Sequence, residues 1–221
     1  MPLYPIFLDI KNKPCLVIGG GSVANRKTLS LLSAGAKVTV ISPTLTEGLK
    51  KLKKAKKILH IPRRYAPGDL KGFFLAVSTA GSRRMNETAH RDALDLKVLL
   101  NVADNPGFGN FIVPSVVERG DIKIAISTSG KSPYFAKTFR QALEKGLPPE
   151  LAKFIEILGG VRSKLLKERV KSDKKNKIYA DFFNSPVLEW IREGSLVRIN
   201  KFLRENLGRG YSLSRLGIKV R

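Results

Sequence analysis

Short apolar runs alternate with amphipathic stretches along the first hundred residues of the chain. Residues 14–19 form a compact apolar run that ends in glycine, which predicts a buried strand. Residues 22–34 carry apolar positions at helical spacing and end beside Gly35, so we expect a helix there. The same criteria predict further strands at 37–41, 58–61, 72–77 and 97–101, and helices at 43–57 and 82–94.

This alternation predicts parallel βαβ units and therefore an α/β fold, a Rossmann-like doubly wound parallel sheet. The pattern changes after the fifth strand, where short strands at 111–114 and 122–127 precede a helix at 132–145. From residue 150 onward the sequence predicts only helices. We therefore expect a nucleotide-binding domain at 1–113, a small α/β segment at 114–147 and a helical C-terminal domain at 148–221.

The charge of the chain is strongly positive. Its 41 Lys and Arg residues exceed its 18 Asp and Glu residues by 23. This excess predicts a polyanionic partner: nucleic acid, an anionic membrane surface or a multiply acidic small molecule. The excess is +11 over residues 1–113 and +12 over 114–221, so a detachable basic arm for nucleic acid is not favoured.

Several classes of protein are not expected. The longest stretch without a charged residue has 13 residues, and a membrane-spanning helix needs about 20 apolar residues. The N-terminus lacks the basic start and apolar stretch of a signal peptide. Cys15 is the only cysteine, and His60 and His90 are far apart in sequence, so we expect no disulfide and no metal site. The expected location is the cytoplasm.

A glycine-rich turn follows the first strand and opens the first helix. Its pattern is Gly19-x-Gly21-x-x-Ala24. In this context the glycines allow a pyrophosphate to approach the backbone, and the N–H groups of Ser22 and Val23 point towards it. The alternative is a strand–helix turn that binds nothing.

The end of the second strand is where an NAD site usually holds an acidic residue against the ribose. Here the sequence has Ser42, Pro43 and Thr44, whose hydroxyl groups bind a ribose more weakly. No arginine follows that strand to hold a 2′-phosphate, so the class of cofactor is better defined than its identity. Thr79 and Ala80 end the fourth strand and are expected to flank the cofactor.

Asp104 lies just beyond the fifth strand, at the edge of the sheet where α/β sites form. A carboxylate there can act as a general base beside a nicotinamide. The alternative is that Asp104 and Asn105 only form an Asx-type turn before Pro106.

A loop rich in hydroxyl groups, Ser127–Pro133, leads into the helix at 132–145. Its composition suits the binding of carboxylates or phosphates, although it lacks the spacing of a P-loop. Ser132 and Pro133 also fit an N-cap followed by the first helical residue, and both interpretations can hold together.

Five motifs in order carry a resemblance to a known family. They are Pro5-Ile-Phe, Cys15–Lys27, Asn101-Val-x-Asp104, Phe111–Ser115 and Ser127–Pro133. Together they resemble the precorrin-2 dehydrogenase family, the dehydrogenase/ferrochelatase module of siroheme synthase, over roughly residues 1–170.

The resemblance implies NAD-dependent oxidation of precorrin-2 to sirohydrochlorin by a homodimer whose segment 114–147 exchanges between subunits. The family's essential aspartate matches Asp104. Bifunctional members also insert ferrous iron, and some of them carry Ser where this chain has Thr128. Precorrin-2 has eight carboxylates, so the resemblance implies that part of the positive charge of the chain serves to bind them. The expected substrate-binding residues are Arg119, Ser127, Thr128, Lys131 and Ser132, with Arg119 and Lys131 chosen from charge and position.

Two other functions remain as alternatives. A non-enzymatic module that senses nucleotides for a partner would keep the turn at Gly19–Ala24, but it would not need Asp104 or the loop at 127–133. Nucleic-acid binding is motivated only by the charge and is not favoured.

Overall fold

The computed structural model describes residues 3–219. They form two compact units that divide between Val113 and Pro114. Met1 and Pro2, the first residues of the N-terminus predicted to lack a signal peptide, lie outside the described residues. Val220 and Arg221, the last residues of the predicted helical domain, also lie outside them.

The first unit is a five-stranded parallel sheet in the order β3-β2-β1-β4-β5, with helices between the strands. The predicted Rossmann-like fold is confirmed. Its elements are β1 (Pro14–Ile18), α1 (Ser22–Ser33), β2 (Lys37–Ile41), α2 (Glu47–Lys54), β3 (Ile58–Ile61), β4 (Leu75–Ser78), α3 (Arg83–Asp95), β5 (Leu99–Val102) and a 3₁₀ turn at Pro106–Phe108.

Both faces of this sheet are covered, which explains its nearly continuous apolar strands. Along β1, Cys15 and Val17 pack into the core on one face, and Leu16 and Ile18 pack into the core on the other. Each such aliphatic side chain stabilises the fold by about 1.5–3 kcal/mol. Burial raises the pKa of the Cys15 thiol to about 11, so this residue serves packing, as its sequence context indicates.

The order of the strands fixes where a ligand can bind. β1 pairs with β2 on one side and with β4 on the other, so the chain leaves the middle of the sheet in two directions. The crevice outside the carboxyl end of β1 is therefore the switch point at which sheets of this kind bind ligands.

One predicted strand, at 111–114, is wrong. Asn110 instead holds this part of the chain beside β5: its Oδ1 accepts from Leu100 N at 2.9 Å, and its Nδ2 donates to Val98 O at 3.0 Å. The next strand begins only at Ser115. The helix predicted at 43–57 is also shorter than expected, because residues 43–46 form a loop before α2.

The second unit begins with an antiparallel hairpin and continues as helices, so the predicted helical C-terminal region is confirmed. On α5 the buried residues are spaced three to four apart and pack with Phe182 and Leu203 into one core. No helix in residues 3–219 is both long and apolar enough to cross a membrane. The elements are β6 (Ser115–Arg119), β7 (Ile122–Ile126), α4 (Pro133–Gly146), α5 (Glu150–Lys167), α6 (Ser172–Phe183), α7 (Val187–Arg192) and α8 (Leu196–Leu207).

Candidate active site

The turn between β1 and α1 needs its first two glycines for packing. Gly19 has a φ of 118°, and a Cβ there would overlap the Thr79 hydroxyl. A Cβ at Gly20 would overlap the carbonyl oxygen of Thr44. A Cβ at Gly21, by contrast, would meet no atom within 4 Å. The third glycine therefore leaves open space in front of α1, which is where a close-lying ligand would need it.

The first turn of α1 presents free donors to that space. Gly21 is the N-cap of the helix and provides no side-chain hydrogen bond. The N–H groups of Ser22 and Val23 make no hydrogen bond with the described part of the chain, and both residues are exposed. Free N–H groups and the positive end of the helix dipole favour an anion there.

A pocket of about 360 Å³ lies at this edge of the sheet. It brings together predicted residues from three strand ends: Gly19, Gly21, Ser42, Pro43, Thr44 and Ala80. It also contains residues that the sequence analysis missed: Gly20, Thr46, Arg64, Tyr65 and Met85.

The loop after β2 is built around Ser42 and Gly20. The Ser42 side chain is 3% exposed, and its hydroxyl donates to Thr44 O at 2.8 Å. Thr46 N donates to Gly20 O at 2.9 Å, which ties the loop to the glycine turn. Ser42 therefore shapes the loop, whereas the exposed Thr44 is better placed to meet a ribose.

One buried polar atom in the pocket has no partner. Thr46 Oγ1 makes no hydrogen bond within residues 3–219, although it is shielded from solvent. A buried hydroxyl without a partner is costly, and a polar ligand in the pocket would satisfy it. With the open space at Gly21 and the free donors of α1, this atom indicates that the pocket fits a dinucleotide.

Asp92 holds the wall of the pocket that follows β3. The Tyr65 phenol donates to Asp92, and Gly68 N donates to the same carboxylate at 2.7 Å. Burial and this hydrogen bond raise the pKa of Tyr65 well above its usual range. Tyr65 is therefore a neutral, fixed wall of the pocket.

Thr79 lies beside the pocket and closes the sheet behind it. Its backbone N–H and its hydroxyl both donate to Ile18 O, at 2.9 and 3.1 Å. On α3, Asn86 accepts from Ser78 Oγ and donates to Ala80 O, at 2.7 and 3.1 Å. Ala80 is thereby fixed at the pocket edge, while Thr79 serves packing.

Asp104 follows the neighbouring strand at the same edge. Ser78 pairs with Val102, and Ala103 N donates to Ser78 O at 2.9 Å. The Asx turn forms at Asn105, whose Oδ1 accepts from Gly107 N at 3.2 Å. The Asp104 side chain is exposed and makes no hydrogen bond or ion pair with the described residues, so its carboxylate is free for chemistry.

Side-chain amides position the loop that carries Asp104. Asn101 Nδ2 donates to Phe111 O at 3.1 Å, and Asn110 bridges to β5 as described above. His90 Nδ1 donates to Phe108 O at 2.8 Å. Asn110 and His90 were not among the predicted site residues, because neither belongs to a motif.

In the second unit, the hydroxyl-rich loop forms an ordered turn before α4. Thr128 Oγ1 accepts from Ser132 N, and Ser127 Oγ accepts from Ser129 N, both at 3.0 Å. Ser132 Oγ accepts from Phe135 N at 3.1 Å, so Ser132 is the N-cap of α4 as the sequence indicates. Lys131 is exposed within the same turn.

Arg119 does not join this loop. The register pairs Arg119 with Ile122 at the turn of the hairpin, whereas Ile126, next to the loop, pairs with Ser115 at the other end. The Arg119 guanidinium donates to Glu144 O at 2.7 Å. This hydrogen bond is a structural contact between the hairpin and α4, and a role of Arg119 towards the substrate stays a prediction.

No group of three or more His, Cys, Asp or Glu side chains suited to a metal ion occurs in residues 3–219.

Comparison with known proteins identifies the family. The NAD(P)-binding family model matches residues 6–115, and the model of the central part of the sirohaem biosynthesis protein matches residues 119–145. The siroheme synthase of Vesicomyosocius okutanii is 35% identical over 207 residues, which is 94% of this chain. The chain belongs to the siroheme synthase family. The resemblance in the sequence motifs is therefore confirmed.

Other members extend this comparison. The siroheme synthase of Photobacterium profundum is 35% identical over 184 residues, or 83% of this chain. The chain spans 44% of the Vesicomyosocius relative and 39% of the Photobacterium relative. A solved structure of SirC, precorrin-2 dehydrogenase, has a TM-score of 0.75 and 24% identity over 92% of this chain and 98% of that chain, which shows the shared fold.

Proposed function

We propose that this protein oxidises precorrin-2 to sirohydrochlorin with a nicotinamide dinucleotide as the hydride acceptor. The observation that carries the proposal lies at one sheet edge. There, the free donors of α1 face an open space at Gly21, and the chain after β5, two strands away from β1, carries the unpaired carboxylate of Asp104. The names of the relatives and of the structural neighbour support the same substrate.

The cofactor we propose is NAD, following the resemblance in the motifs. The N–H groups of Ser22 and Val23 would hold its pyrophosphate, and Thr44 and Thr46 would hydrogen-bond nearby hydroxyl groups. Ser42 and Thr79 would support these contacts by holding the loop and the turn. When bound, the dinucleotide supplies the hydride acceptor, and the protein orients it.

Asp104 is the proposed proton acceptor. Precorrin-2 loses a hydride and a proton when it becomes sirohydrochlorin, so a base must take the proton. A carboxylate without other partners can accept it, and the amides of Asn101 and Asn110 keep its loop in place.

The loop at 127–132 is proposed to bind carboxylates of the substrate. Thr128 and Ser127 accept backbone N–H groups, which leaves their O–H groups available to donate. The exposed Lys131 can pair with a carboxylate. Ser132 contributes by capping α4 and fixing the turn.

Anaerobic incubation of the protein with precorrin-2 and NAD tests the proposal. Sirohydrochlorin should form, and Asp104→Asn should lower turnover by about 10²–10⁴-fold while leaving NAD affinity unchanged. Asp95→Asn, an exposed carboxylate elsewhere, is the matched control and should behave as wild type. A protein that binds NAD but leaves precorrin-2 unchanged would favour the non-enzymatic sensor, and near-normal turnover of Asp104→Asn would remove that residue from the mechanism.

Insertion of ferrous iron into the product is a second proposed activity, supported by the names of the relatives, which are siroheme synthases. Adding ferrous or cobaltous ion after the oxidation step tests it. A metal-dependent change in the sirohydrochlorin spectrum is expected, and no change would leave a dehydrogenase alone.

We also propose a homodimer formed through segment 114–147. On α4 the rings of Phe135 and Phe139 stack with their centroids 5.7 Å apart, but the two residues remain 56% and 45% exposed. Tyr134 beside them is 79% exposed. An apolar surface of this kind is favourable when a second copy of the chain covers it.

We propose a cytoplasmic location, where the single thiol of Cys15 stays reduced.

A further inference from the structure

The end of β3 brings an arginine to the pocket beside the loop after β2. The carbonyl oxygen of Ile61 accepts from Ser42 N at 3.2 Å and from Arg63 N at 2.9 Å, so the chain turns directly after β3, beside the start of the loop that follows β2. Arg64, Pro43 and Thr44 line the same pocket. The arginine therefore occupies the region where the proposed function puts the adenine ribose.

Arg63 and Arg64 are adjacent but differ in their partners. The Arg63 guanidinium donates two hydrogen bonds to Asp69, at 2.6 and 2.7 Å, and a third to Arg64 O at 3.0 Å. Its hydrogen bonds hold the pKa of Asp69 below its usual range. The exposed Arg64 guanidinium makes no hydrogen bond or ion pair within residues 3–219, and the neighbouring backbone is fixed by Arg63. One arginine is structural and the other is free to bind a ligand.

Nothing acidic in the pocket opposes an anion beside Arg64. No Asp or Glu lines the pocket, and Ser42 stands where NAD sites usually hold a carboxylate. The nearby Asp69 and Asp92 are occupied by Arg63, Tyr65 and backbone N–H groups.

Behind the loop the groups are basic or neutral. His60 Nε2 donates to Ser42 O at 2.9 Å, and Lys53 Nζ lies 3.4 Å from His60 Nδ1. A phosphate on the ribose would therefore meet the Arg64 guanidinium, and no Asp or Glu lines the pocket around it.

We infer that Arg64 forms a phosphomonoester subsite at the ribose end of the pocket, so that the protein binds the 2′-phosphorylated dinucleotide as well as NAD. Guanidinium and phosphate match in geometry and charge, and such a pair forms strong hydrogen bonds. The inference rests on the proposed function only in assuming that the pocket holds the adenosine end of the cofactor.

Calorimetric titration of the full chain with adenosine 2′,5′-bisphosphate and with 5′-AMP tests this subsite. Wild type should bind the bisphosphate about 10- to 100-fold more tightly. Arg64→Gln should remove this preference and leave AMP affinity unchanged, while Arg64→Lys should keep part of it. Arg91→Gln, an exposed arginine on α3 outside the pocket, is the matched control and should behave as wild type.

Three results would overturn the inference: equal or tighter binding of AMP by wild type, an equal loss of both nucleotides in Arg64→Gln, or no binding of either nucleotide. Precorrin-2 oxidation with NAD is measured separately on the same preparations. A wild type that oxidises precorrin-2 with NAD and shows no preference for the bisphosphate would refute the subsite and leave the proposed function intact.

Discussion

The substitution Gly21→Ser fills the space in front of α1 without disturbing the chain around it. Gly21 has φ −81° and ψ −171°, an extended conformation open to any residue, and its Cβ would meet no atom within 4 Å. Serine is also a preferred N-cap, so the free energy of unfolding should stay equal or rise by a few tenths of a kcal/mol.

The affinity of Gly21→Ser for NAD should fall, although its stability does not. The new hydroxyl would accept an N–H of the first helical turn and occupy the place of a phosphate oxygen. Loss of one charge-assisted hydrogen bond costs about 1.5–3 kcal/mol, which raises the Kd for NAD by about 10- to 150-fold.

Calorimetry with NAD and thermal unfolding measure the two effects on the same sample. Gly159→Ser is the matched control, because Gly159 is exposed on α5 and its Cβ would also meet no atom within 4 Å. Its NAD affinity should equal that of wild type. A Kd for NAD in Gly21→Ser within twofold of wild type would refute the placement of the pyrophosphate over this turn.

Three further predictions concern packing and assembly. Gly20→Ala should lower the free energy of unfolding by about 1–3 kcal/mol, because its Cβ overlaps the Thr44 carbonyl; unchanged denaturant unfolding would contradict this. Phe139→Glu should shift the mass measured by sedimentation from dimer towards monomer, whereas Val197→Glu, on exposed α8 surface, should not; equal masses would argue against the α4 interface. Cys15 should resist alkylation near pH 8 until the protein is unfolded, because burial raises its pKa to about 11 and protects the thiol; rapid labelling of native protein would show that β1 is accessible.

Much of the fold follows from local pattern. β1 and α1 were predictable because a compact apolar run, glycines and helical spacing follow one another within residues 14–34. The irregular conformation of residues 111–114 was not predictable, because their apolar side chains suit a strand as well as an irregular segment. The deciding contacts are side-chain hydrogen bonds of Asn110 to β5, which periodicity does not detect.

The candidate site was predictable where its residues directly follow β1, β2, β4 and β5. Arg64 and Tyr65 were missed because they follow β3. That β3 lies next to β2, with both carboxyl ends at the pocket, is known only from the strand order. That order could have drawn attention to Arg64. Arg119 was chosen from charge and position, and the hairpin register puts it at the end of the hairpin away from the loop at 127–133.

The proposed reaction passes a hydride from precorrin-2 to a nicotinamide dinucleotide held at the glycine turn. Its most direct test is the stoichiometry of NADH and sirohydrochlorin, both quantified by chromatography after anaerobic reaction with limiting precorrin-2. One NADH is expected for each sirohydrochlorin, and Gly21→Ser should form both products much more slowly at an NAD concentration near the wild-type Kd. Sirohydrochlorin formed without NADH, or at an unchanged rate in Gly21→Ser, would contradict it.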